Sequence, residues 1–405
     1  MTEDTATPPA LVPLQVAVVG SGPSGCYTAQ SLMKLVPEAQ VVVFDAMPTP
    51  FGLIRHGIAA DHQGMKGVTR QFERMFTRGS AEFVGNVRIG EDVTLEQLVA
   101  AFDAVVIATG LPRDRGLAVA GADAPNVYGA GEIVQLLNSH PEAALRNHPN
   151  LLDEGLGADI AIIGSGNVAI DVARLLLKSD EELSGSDVND EARDALLRRP
   201  IATLRIFGRG PAEKARWDDS MLRELAAVQG ISATLDGVAL TDATSGKTLA
   251  IEFNSTPTRI TESSLEITPT YGTGDPRQYR IDSVITATGF VDPDQNLATE
   301  ELPAEDRMRV YRAGGSGSGV LGNLAENRKL GASLAASIAA EIQPAGRPGL
   351  PGIAGILPGR ATDFAAWQRV DAAETARAQP NRVRRKFDTR EAIIAAGEEG
   401  RSAKE

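Results

Sequence analysis

The chain has 405 residues, of which 42% are apolar and 23% are charged, and its formal net charge at neutral pH is −13. This length allows two or three domains with large cores, and the composition is that of a folded globular protein. The acidic balance argues against general nucleic-acid binding, which favours a basic face. A single cysteine, Cys26, excludes a disulfide framework, a CxxC redox pair and a cysteine-rich zinc site.

The N-terminal stretch MTEDTATPPA is polar and acidic, which is unlike a signal peptide. The longest apolar runs have the length of a β-strand and are far too short to cross a bilayer. We therefore expect a cytoplasmic protein that does not cross a membrane. No pattern points to oligomerisation, and a monomer is expected.

The first predicted unit is a strand, a glycine turn and a helix. Residues 14–25 read LQVAVVGSGPSG, in which a β-branched strand runs into Gly20, Gly22 and Gly25. In a dinucleotide-binding turn, the first glycine permits the turn, the second lets the backbone approach a pyrophosphate, and the third lets the helix pack on the strand. The helix N-terminus adds free N–H groups. The next strand ends at Asp45, whose carboxylate suits the ribose hydroxyls of FAD.

The same pattern returns near the middle of the chain. Residues 159–171 read DIAIIGSGNVAID, with Gly164 and Gly166 in the turn and Ala169 at the third position. A lone glycine motif of this kind is weak evidence, but two copies between strand and helix predict two dinucleotides. The following strand ends at Arg209, and an arginine there suits the 2′-phosphate of NADP. An ordinary solvated arginine would fit that position equally well.

Each half also carries a later, buried-type strand that ends in the tripeptide ATG, at Gly110 and at Gly289. This duplication predicts an α/β fold with two Rossmann-like dinucleotide-binding domains. The NAD(P)-binding domain is expected at 115–289, inserted in an FAD-binding domain made of 1–114 and 290–405.

Two further stretches carry predictions. The segment RAGGSGSGVLGN (312–323) precedes a helical pattern, and we interpret it as a third glycine turn that faces the flavin; the alternative is a flexible linker. Residues 180–199 contain seven acidic side chains and are predicted to form an exposed excursion.

A family resemblance rests on three stretches: TPFGLIRHGIAADHQGMKGV (49–68), GSGNVAIDVARLLL (164–177), and RGP followed by LREL (209–225). With these motifs the chain resembles the adrenodoxin reductase-like ferredoxin–NADP reductases over most of its length. The first motif is specific, because general flavin disulfide reductases lack it.

The resemblance implies FAD and NADP as cofactors and assigns residues to each. His62 and Glu224 match family residues near the nicotinamide and flavin rings, and they are the candidate catalytic pair. The implied FAD-binding residues are Gly20, Gly22, Pro23, Ser24, Gly25, Asp45, Gly52, Leu53, Thr109, Gly110, Gly314, Gly319, Val320 and Leu321. The implied NADP-binding residues are Gly164, Gly166, Asn167, Val168 and Arg209. No metal site is expected.

The chain departs from the family pattern at three places. The family has two successive arginines before GP, whereas this chain has Gly208 and Arg209, so that one contact to a 2′-phosphate is missing. The aromatic residue of the last glycine turn is replaced by Gly315. The segment after LREL passes almost directly into a predicted sheet, which indicates a remodelled partner surface.

Three functions remain open from the sequence. The first is an NAD(P)H–ferredoxin reductase that takes a hydride from NADPH and gives single electrons to an iron–sulfur protein. The second is a flavin enzyme that reduces a small molecule such as a quinone without a protein partner. The third, a non-enzymatic nucleotide-binding module, is disfavoured because both turns and the 49–68 motif are intact.

A basic ridge is the candidate docking surface for the iron–sulfur partner. Lys66, Arg70, Arg74 and Arg78 recur every four positions, which would place them in one row on a helix. The apolar residues between them would form the buried face. A solvated charged face with no partner is the alternative.

Overall fold

The structure is a computed structural model that describes residues 12–215, 217–242, 246–292, 297–320 and 322–399. The chain forms two compact units. In the described residues, the first unit contains 12–52, 69–111, 292 and 297–367. The second contains 53–68, the described part of 112–291, and 368–399.

The strands, in chain order, are β1 (Gln15–Val19), β2 (Gln40–Phe44), β3 (Ala81–Val84), β4 (Ala104–Ile107), β5 (Arg113–Asp114), β6 (Val127–Gly129), β7 (Asp159–Ile163), β8 (Thr203–Phe207), β9 (Ile231–Leu235), β10 (Val238–Ala239), β11 (Lys247–Glu252), β12 (Ser255–Ile260), β13 (Ser264–Pro269), β14 (Arg277–Arg280), β15 (Ser283–Thr286), β16 (Phe290–Val291) and β17 (Val310–Arg312).

The α-helices are α1 (Pro23–Leu35), α2 (Gly52–His56), α3 (Gln63–Lys66), α4 (Thr69–Thr77), α5 (Leu95–Ala101), α6 (Ala130–Leu137), α7 (Pro149–Glu154), α8 (Asn167–Leu177), α9 (Asp190–Leu196), α10 (Asp219–Ala226), α11 (Ala304–Arg307), α12 (Gly315–Ser318), α13 (Leu324–Glu341), α14 (Phe364–Ala376) and α15 (Arg390–Glu398).

The first unit is built on a parallel sheet with the order β17-β4-β1-β2-β3. Strand β1 lies in the middle, and all five of its residues are buried. Its near-continuous apolar sequence is typical of a parallel strand that is covered on both faces. Helices α1 and α13 pack closely, since a Cβ on Gly331 would lie 2.9 Å from the Thr28 backbone nitrogen. This sheet places the carboxyl ends of β1, β4 and β17 at one edge.

The second unit is built on a seven-stranded sheet with the order β10-β9-β11-β8-β7-β15-β6. Its pairs are parallel except for β10 with β9. Strand β7 is again next to the following β-strand, β8, and to the ATG strand, β15, as β1 is to β2 and β4 in the first unit. A small antiparallel sheet, β12-β13-β14, follows β11. The two copies of the sequence pattern thus form two sheets of like topology.

The units do not contain the same residues as the predicted domains, because 53–68 and 368–399 pack with the second unit. A buried charge cluster is the physical reason. The Asp187 carboxylate accepts from Lys66 Nζ at 2.7 Å and from Lys386 Nζ at 2.8 Å. Arg55 Nη2 lies 2.6 Å from Glu374 Oε1 in a second buried pair. Charges removed from water need such partners, so both segments are fixed to this unit.

The acidic stretch 180–199 is not an exposed excursion, and this prediction was wrong. It contains α9 and contributes Leu183, Val188 and Leu196 to the core of the second unit. The C-terminal segment also lies along it: Arg382 Nη2 is 2.6 Å from Asp190 Oδ1. Several of the acidic side chains therefore have ion-pair partners that are distant in sequence.

Among the residues that the structure describes, no helix is both long enough and apolar enough to span a bilayer.

The buried cluster around Asp187 gives a stability prediction. Asp187→Asn leaves two buried ammonium groups without their carboxylate and should lower the free energy of unfolding by about 3–5 kcal/mol. Burial alone would raise the pKa of Asp187, but Lys386 and Lys66 outweigh it and hold that pKa below its usual value. The stabilisation is therefore present above about pH 4 and is lost as the pH falls further.

Urea unfolding at pH 7 and at pH 3 measures both effects. Asp194→Asn is the control, because Asp194 lies in the same segment and is exposed; it should change stability by less than about 0.5 kcal/mol. Equal losses in the two variants would contradict the role given to the buried cluster.

Candidate functional site

The first glycine turn lies at the carboxyl end of β1, and two of its glycines are required by packing. Gly20 has φ +109°, and a Cβ there would lie 2.4 Å from the Ala108 carbonyl oxygen. A Cβ on Gly25 would lie 2.0 Å from the Gly20 carbonyl oxygen, so only glycine lets α1 approach β1 this closely. A Cβ on Gly22 would have no atom within 4 Å, which leaves this backbone open to a ligand.

The open backbone at Gly22 is also the start of α1. Gly22 is the N-cap residue, no side chain of the described residues caps the helix, and Pro23 occupies the first turn. The first N–H groups of a helix lack partners within it and carry the positive end of its dipole. This arrangement fits a pyrophosphate group.

Asp45 holds the turn in shape. Its Oδ2 accepts from the Ser21 backbone N–H at 2.9 Å and from the Ser21 hydroxyl. The same hydroxyl oxygen accepts from the Phe51 N–H at 3.0 Å. Gly52 follows with φ +39°, and its Cβ would be 3.3 Å from Gly22 Cα. The start of the 49–68 motif therefore lies against the turn.

The third turn is present in the first unit. Gly314 follows β17 with φ +63°, and a Cβ there would be 1.9 Å from Ser24 Oγ, which donates to Asn327 of α13. Gly319 is in the left-handed region and Val320 is 62% exposed. Gly314 is the N-cap residue of the one-turn helix α12, and Gly319 is its C-cap residue.

The remaining residues that were assigned to FAD have mixed positions. Thr109 is exposed, and Gly110 has φ +75° at the end of β4. Leu53 is 38% exposed and belongs to the second unit. Leu321 lies outside the described residues.

The turn after β7 repeats the geometry of the first. Gly164 has φ +120°, and its Cβ would be 2.2 Å from the Ala287 carbonyl oxygen, while a Cβ on Gly166 would meet nothing within 4 Å. Ala169 is buried. Asn167 Oδ1 accepts from the Asp218 backbone N–H at 2.9 Å, ahead of α10. Val168 packs against the core of the unit. This turn also fits a pyrophosphate.

Arg209 is exposed in the loop after β8. The preceding residue has no room for a side chain: a Cβ on Gly208 would lie 2.6 Å from the Phe253 ring and 3.0 Å from Ser165 Oγ. Phe253 is itself packed edge-on against Trp217. The single arginine at this strand end is thus a consequence of local packing.

The structure brings the two candidate catalytic residues together in the second unit. His62 Nε2 lies 3.2 Å from Glu224 Oε2, although the residues are far apart in sequence. His62 Nδ1 faces Asp171 Oδ1 at 3.7 Å. His62 is mostly buried, whereas the Glu224 side chain is 51% exposed. One imidazole therefore lies between two carboxylates, one buried and one accessible.

A buried arginine that the sequence analysis did not single out lies behind this pair. Arg174 has no exposed side-chain surface, and its Nε and Nη2 atoms donate to Asp61 at 2.7 and 2.9 Å. Its Nη2 also donates to Asp171 Oδ1 at 2.7 Å, and its Nη1 lies 3.7 Å from Glu224 Oε2. Lys178 Nζ lies 2.8 Å from Asp61 Oδ2.

These contacts set the charges of the network. Burial would raise the pKa of Asp61, but the Arg174 and Lys178 hydrogen bonds hold it well below its usual value. For Asp171, burial prevails and its pKa is raised despite Arg174. The signal was available in the sequence: Asp171, Arg174 and Lys178 are spaced by three and four residues, so they share one face of α8.

The predicted basic ridge is only partly present, because the prediction that Lys66 belongs to it was wrong. Lys66 ends α3, is 8% exposed and pairs with Asp187 in the second unit, so it cannot meet a docked partner. Arg70 and Arg74 are exposed on α4, and Arg78 is exposed just after it. The predicted core face is confirmed for Phe72, Met75 and Phe76, which are buried on α4, whereas Val68 is only half-buried.

Comparison with known proteins places this geometry among flavoprotein reductases. The family described as pyridine nucleotide-disulphide oxidoreductase matches residues 14–206. The cindoxin reductase of Citrobacter braakii is 36% identical in an alignment of 422 positions that covers 92% of this chain and 88% of that protein. The mitochondrial NADPH:adrenodoxin oxidoreductase of Arabidopsis thaliana is 37% identical over 54% of this chain and 44% of its own length.

NADPH-ferredoxin reductase FprA of Mycobacterium tuberculosis is 34% identical over 65% of this chain and 57% of that protein. Its structure in complex with NADPH superposes with a TM-score of 0.82 and 26% identity, over 95% of this chain and 99% of that one. The predicted α/β fold with two dinucleotide-binding domains is thereby confirmed.

Alanine substitutions in the first turn test how its glycines act. Gly25→Ala forces a methyl group against the Gly20 carbonyl and should lower the free energy of unfolding of the ligand-free protein by about 1–3 kcal/mol. Gly22→Ala has room and an allowed φ of −67°, so its change should stay within about 0.5 kcal/mol. Urea unfolding compares the two; equal losses would show that close packing at Gly25 is not what requires glycine.

Proposed function

Because the chain belongs to the adrenodoxin reductase-like family of ferredoxin–NADP(+) reductases, we propose that it passes electrons from NADPH through FAD to a ferredoxin or a similar iron–sulfur protein. The coarser activity, that of an NADPH-dependent flavoprotein oxidoreductase, follows from the family. The observation that carries the proposal is the pair of open glycine turns, one in each unit, each at an uncapped helix N-terminus.

The first unit is the proposed FAD-binding part. The α1 N-terminus would bind the pyrophosphate, and Asp45 would keep the turn open for it. The Gly314 backbone would contribute an N–H group from the third turn, whereas the Gly319 N–H already donates to the Gly315 carbonyl oxygen at 2.8 Å. When bound, FAD accepts a hydride from NADPH and can release the two electrons singly to an iron–sulfur protein.

The second unit is the proposed NADP-binding part, with the pyrophosphate at the α8 N-terminus. The exposed guanidinium of Arg209 would pair with the 2′-phosphate, because a planar, permanently charged fork suits a phosphate group. His62 and Glu224 are proposed to orient the nicotinamide and to hold the proton that accompanies hydride transfer. Their contact at 3.2 Å supports a joint role.

The proposed partner docks on the exposed arginines Arg70, Arg74 and Arg78. Ferredoxins are usually acidic and this chain is acidic too, so attraction at long range needs a local basic patch. These arginines follow the 49–68 motif directly. Their helix, α4, is anchored through its opposite face by the packing of Tyr27 on Phe72 with ring centroids 4.8 Å apart. The patch is therefore held on a fixed helix.

Anaerobic stopped-flow reduction with NADPH and with NADH tests the nucleotide assignment. NADPH should reduce the flavin of the wild type at lower concentration than NADH. Arg209→Ala should raise the NADPH concentration for half-maximal rate by roughly tenfold or more, since one charge-assisted contact is lost, and leave NADH nearly unchanged. Arg280→Ala is the matched control, because Arg280 is 78% exposed in the same unit.

Equal weakening of both nucleotides would make Arg209 structural. No flavin reduction by either nucleotide would contradict the enzyme assignment itself. Comparing turnover with a ferredoxin and with a quinone separates the proposed function from a small-molecule reductase.

Charge reversal tests the docking surface. Arg70→Glu with Arg74→Glu should raise the KM for ferredoxin by roughly tenfold at low salt, because steering by exposed charges is lost. Wild-type activity with ferredoxin should fall as salt rises, since such charges are screened over about 10 Å at 0.1 M. NADPH–ferricyanide activity should not change in the variant.

The matched control carries the same change of charge elsewhere on the first unit, at the exposed residues Arg307 and Lys329, each changed to Glu. If both double variants lose ferredoxin activity equally, only the net charge matters and the partner does not dock on α4.

A further inference from the structure

Arg174 is a buried cation that touches every charged group around His62. Helix α8, which starts at the second glycine turn, carries Arg174 and Asp171, and Lys178 follows its last residue directly. The segment before α3 carries Asp61 and His62, and α10 carries Glu224. Arg174 bonds both aspartates and lies 3.7 Å from Glu224 Oε2. It therefore connects the turn helix to the other two elements.

The three nitrogen atoms of the Arg174 guanidinium group differ in their hydrogen bonding. Its Nη1 is buried and has no hydrogen-bond partner among the described residues. A buried N–H donor without a partner is costly, so such an atom in a native site calls for an explanation. The Glu224 carboxylate lies 3.7 Å from this atom and belongs to a half-exposed side chain that can rotate. A movement of well under 1 Å would complete the bond.

Glu224 thus has two cationic neighbours of different kind. Its Oε2 lies 3.2 Å from His62 Nε2, whose charge depends on a proton, and 3.7 Å from Arg174, whose charge is permanent. When His62 is neutral, the network has one more negative than positive charge. Its three carboxylates are those of Asp61, Asp171 and Glu224, and its two cations are Arg174 and Lys178. With protonated His62 the charges balance, so the cluster has a place for one proton.

We propose that Arg174 is a positioning residue for the His62–Glu224 pair: it orients His62 through Asp61 and Asp171, and it receives the Glu224 carboxylate when the imidazole gives up its proton. This inference rests on the proposed hydride-transfer function. In this proposal, the Glu224 carboxylate moves between His62 Nε2 and Arg174 Nη1. It therefore has a partner in both the protonated and the neutral form of His62. The proton that leaves His62 goes to solvent, and no bond to Arg174 is broken.

The titration of His62 is the first test. The chain has four histidines, so the imidazole signal of His62 can be assigned in NMR spectra by its loss in His62→Gln. Arg174→Lys keeps the positive charge but removes Nη1, the atom that faces Glu224. The Glu224 carboxylate then has no second partner when His62 is neutral, so the neutral form of His62 is less stable. We expect the His62 titration midpoint to rise by about 0.5 pH unit or more. A midpoint unchanged within about 0.1 unit would overturn the proposal.

Dependence on His62 is the second test, with single-turnover flavin reduction by NADPH as the readout. Arg174→Lys should slow reduction about tenfold in the wild-type background and change it less than about twofold in the His62→Gln background. NADP+ affinity should stay within about twofold in both. The same loss of rate in both backgrounds would mean a merely structural role and would overturn the proposal.

Asp61→Asn is the second variant, because it loosens Arg174 without removing it and covers the case in which Arg174→Lys does not fold. The same dependence on His62 is expected. A wild type whose flavin NADPH does not reduce would instead reject the proposed function, so the two failures are distinguishable.

Discussion

The close packing of backbone against backbone at each glycine turn is the constraint on which the site depends. At Gly25 the gap leaves no space for a Cβ, and the Gly20 carbonyl lies where that atom would be. This contact aims the first N–H groups of α1 at the carboxyl edge of the sheet. The β7–α8 turn has Ala169 at this third position, and what it shares with the first turn is the first glycine: Gly164 lies against Ala287 as Gly20 lies against Ala108. In the proposed function, the backbone at the two turns would bind the anionic pyrophosphate groups, which suits a chain of net charge −13.

Buried charges fix the segment of the second unit that carries the catalytic candidate His62. The segment 53–68 has little regular structure, and α3 is only one turn long. It is held by ion pairs at both ends, Arg55 with Glu374 and Lys66 with Asp187, and in the middle by Asp61 with Arg174. Such pairs gain little net stability compared with apolar packing, but a missing partner is costly. They therefore specify one position for His62.

The local features of this fold could be predicted from the sequence because their signals are local. A β-branched run followed by glycines predicts a buried strand and a turn, and β1 and β7 lie where the patterns indicate. The contact of His62 with Glu224 could be expected only through family resemblance, since no periodicity links residues 162 positions apart.

The errors share one cause. Lys66 fits a four-residue repeat, yet its helix ends before Gly67. Its buried ammonium group pairs with the carboxylate of Asp187, which is 121 residues away in sequence. The acidic composition of 180–199 predicts a solvated segment, but in the structure Asp190 in this segment pairs with Arg382. In each case the deciding partner is distant in sequence, and composition gives no information about it.

The same reasoning explains the single arginine at the end of β8. Phe253 and Trp217 form an edge-on aromatic pair, with ring centroids 5.3 Å apart, and Phe253 fills the space beside Gly208. Gly208 is also fixed by backbone bonds to Glu252 and Ser255, at 2.8 and 3.0 Å, so it cannot move aside. A cation at position 208 would have to displace an aromatic ring that is itself packed in the core. Apolar packing thus leaves no space for a side chain at 208 beside Arg209.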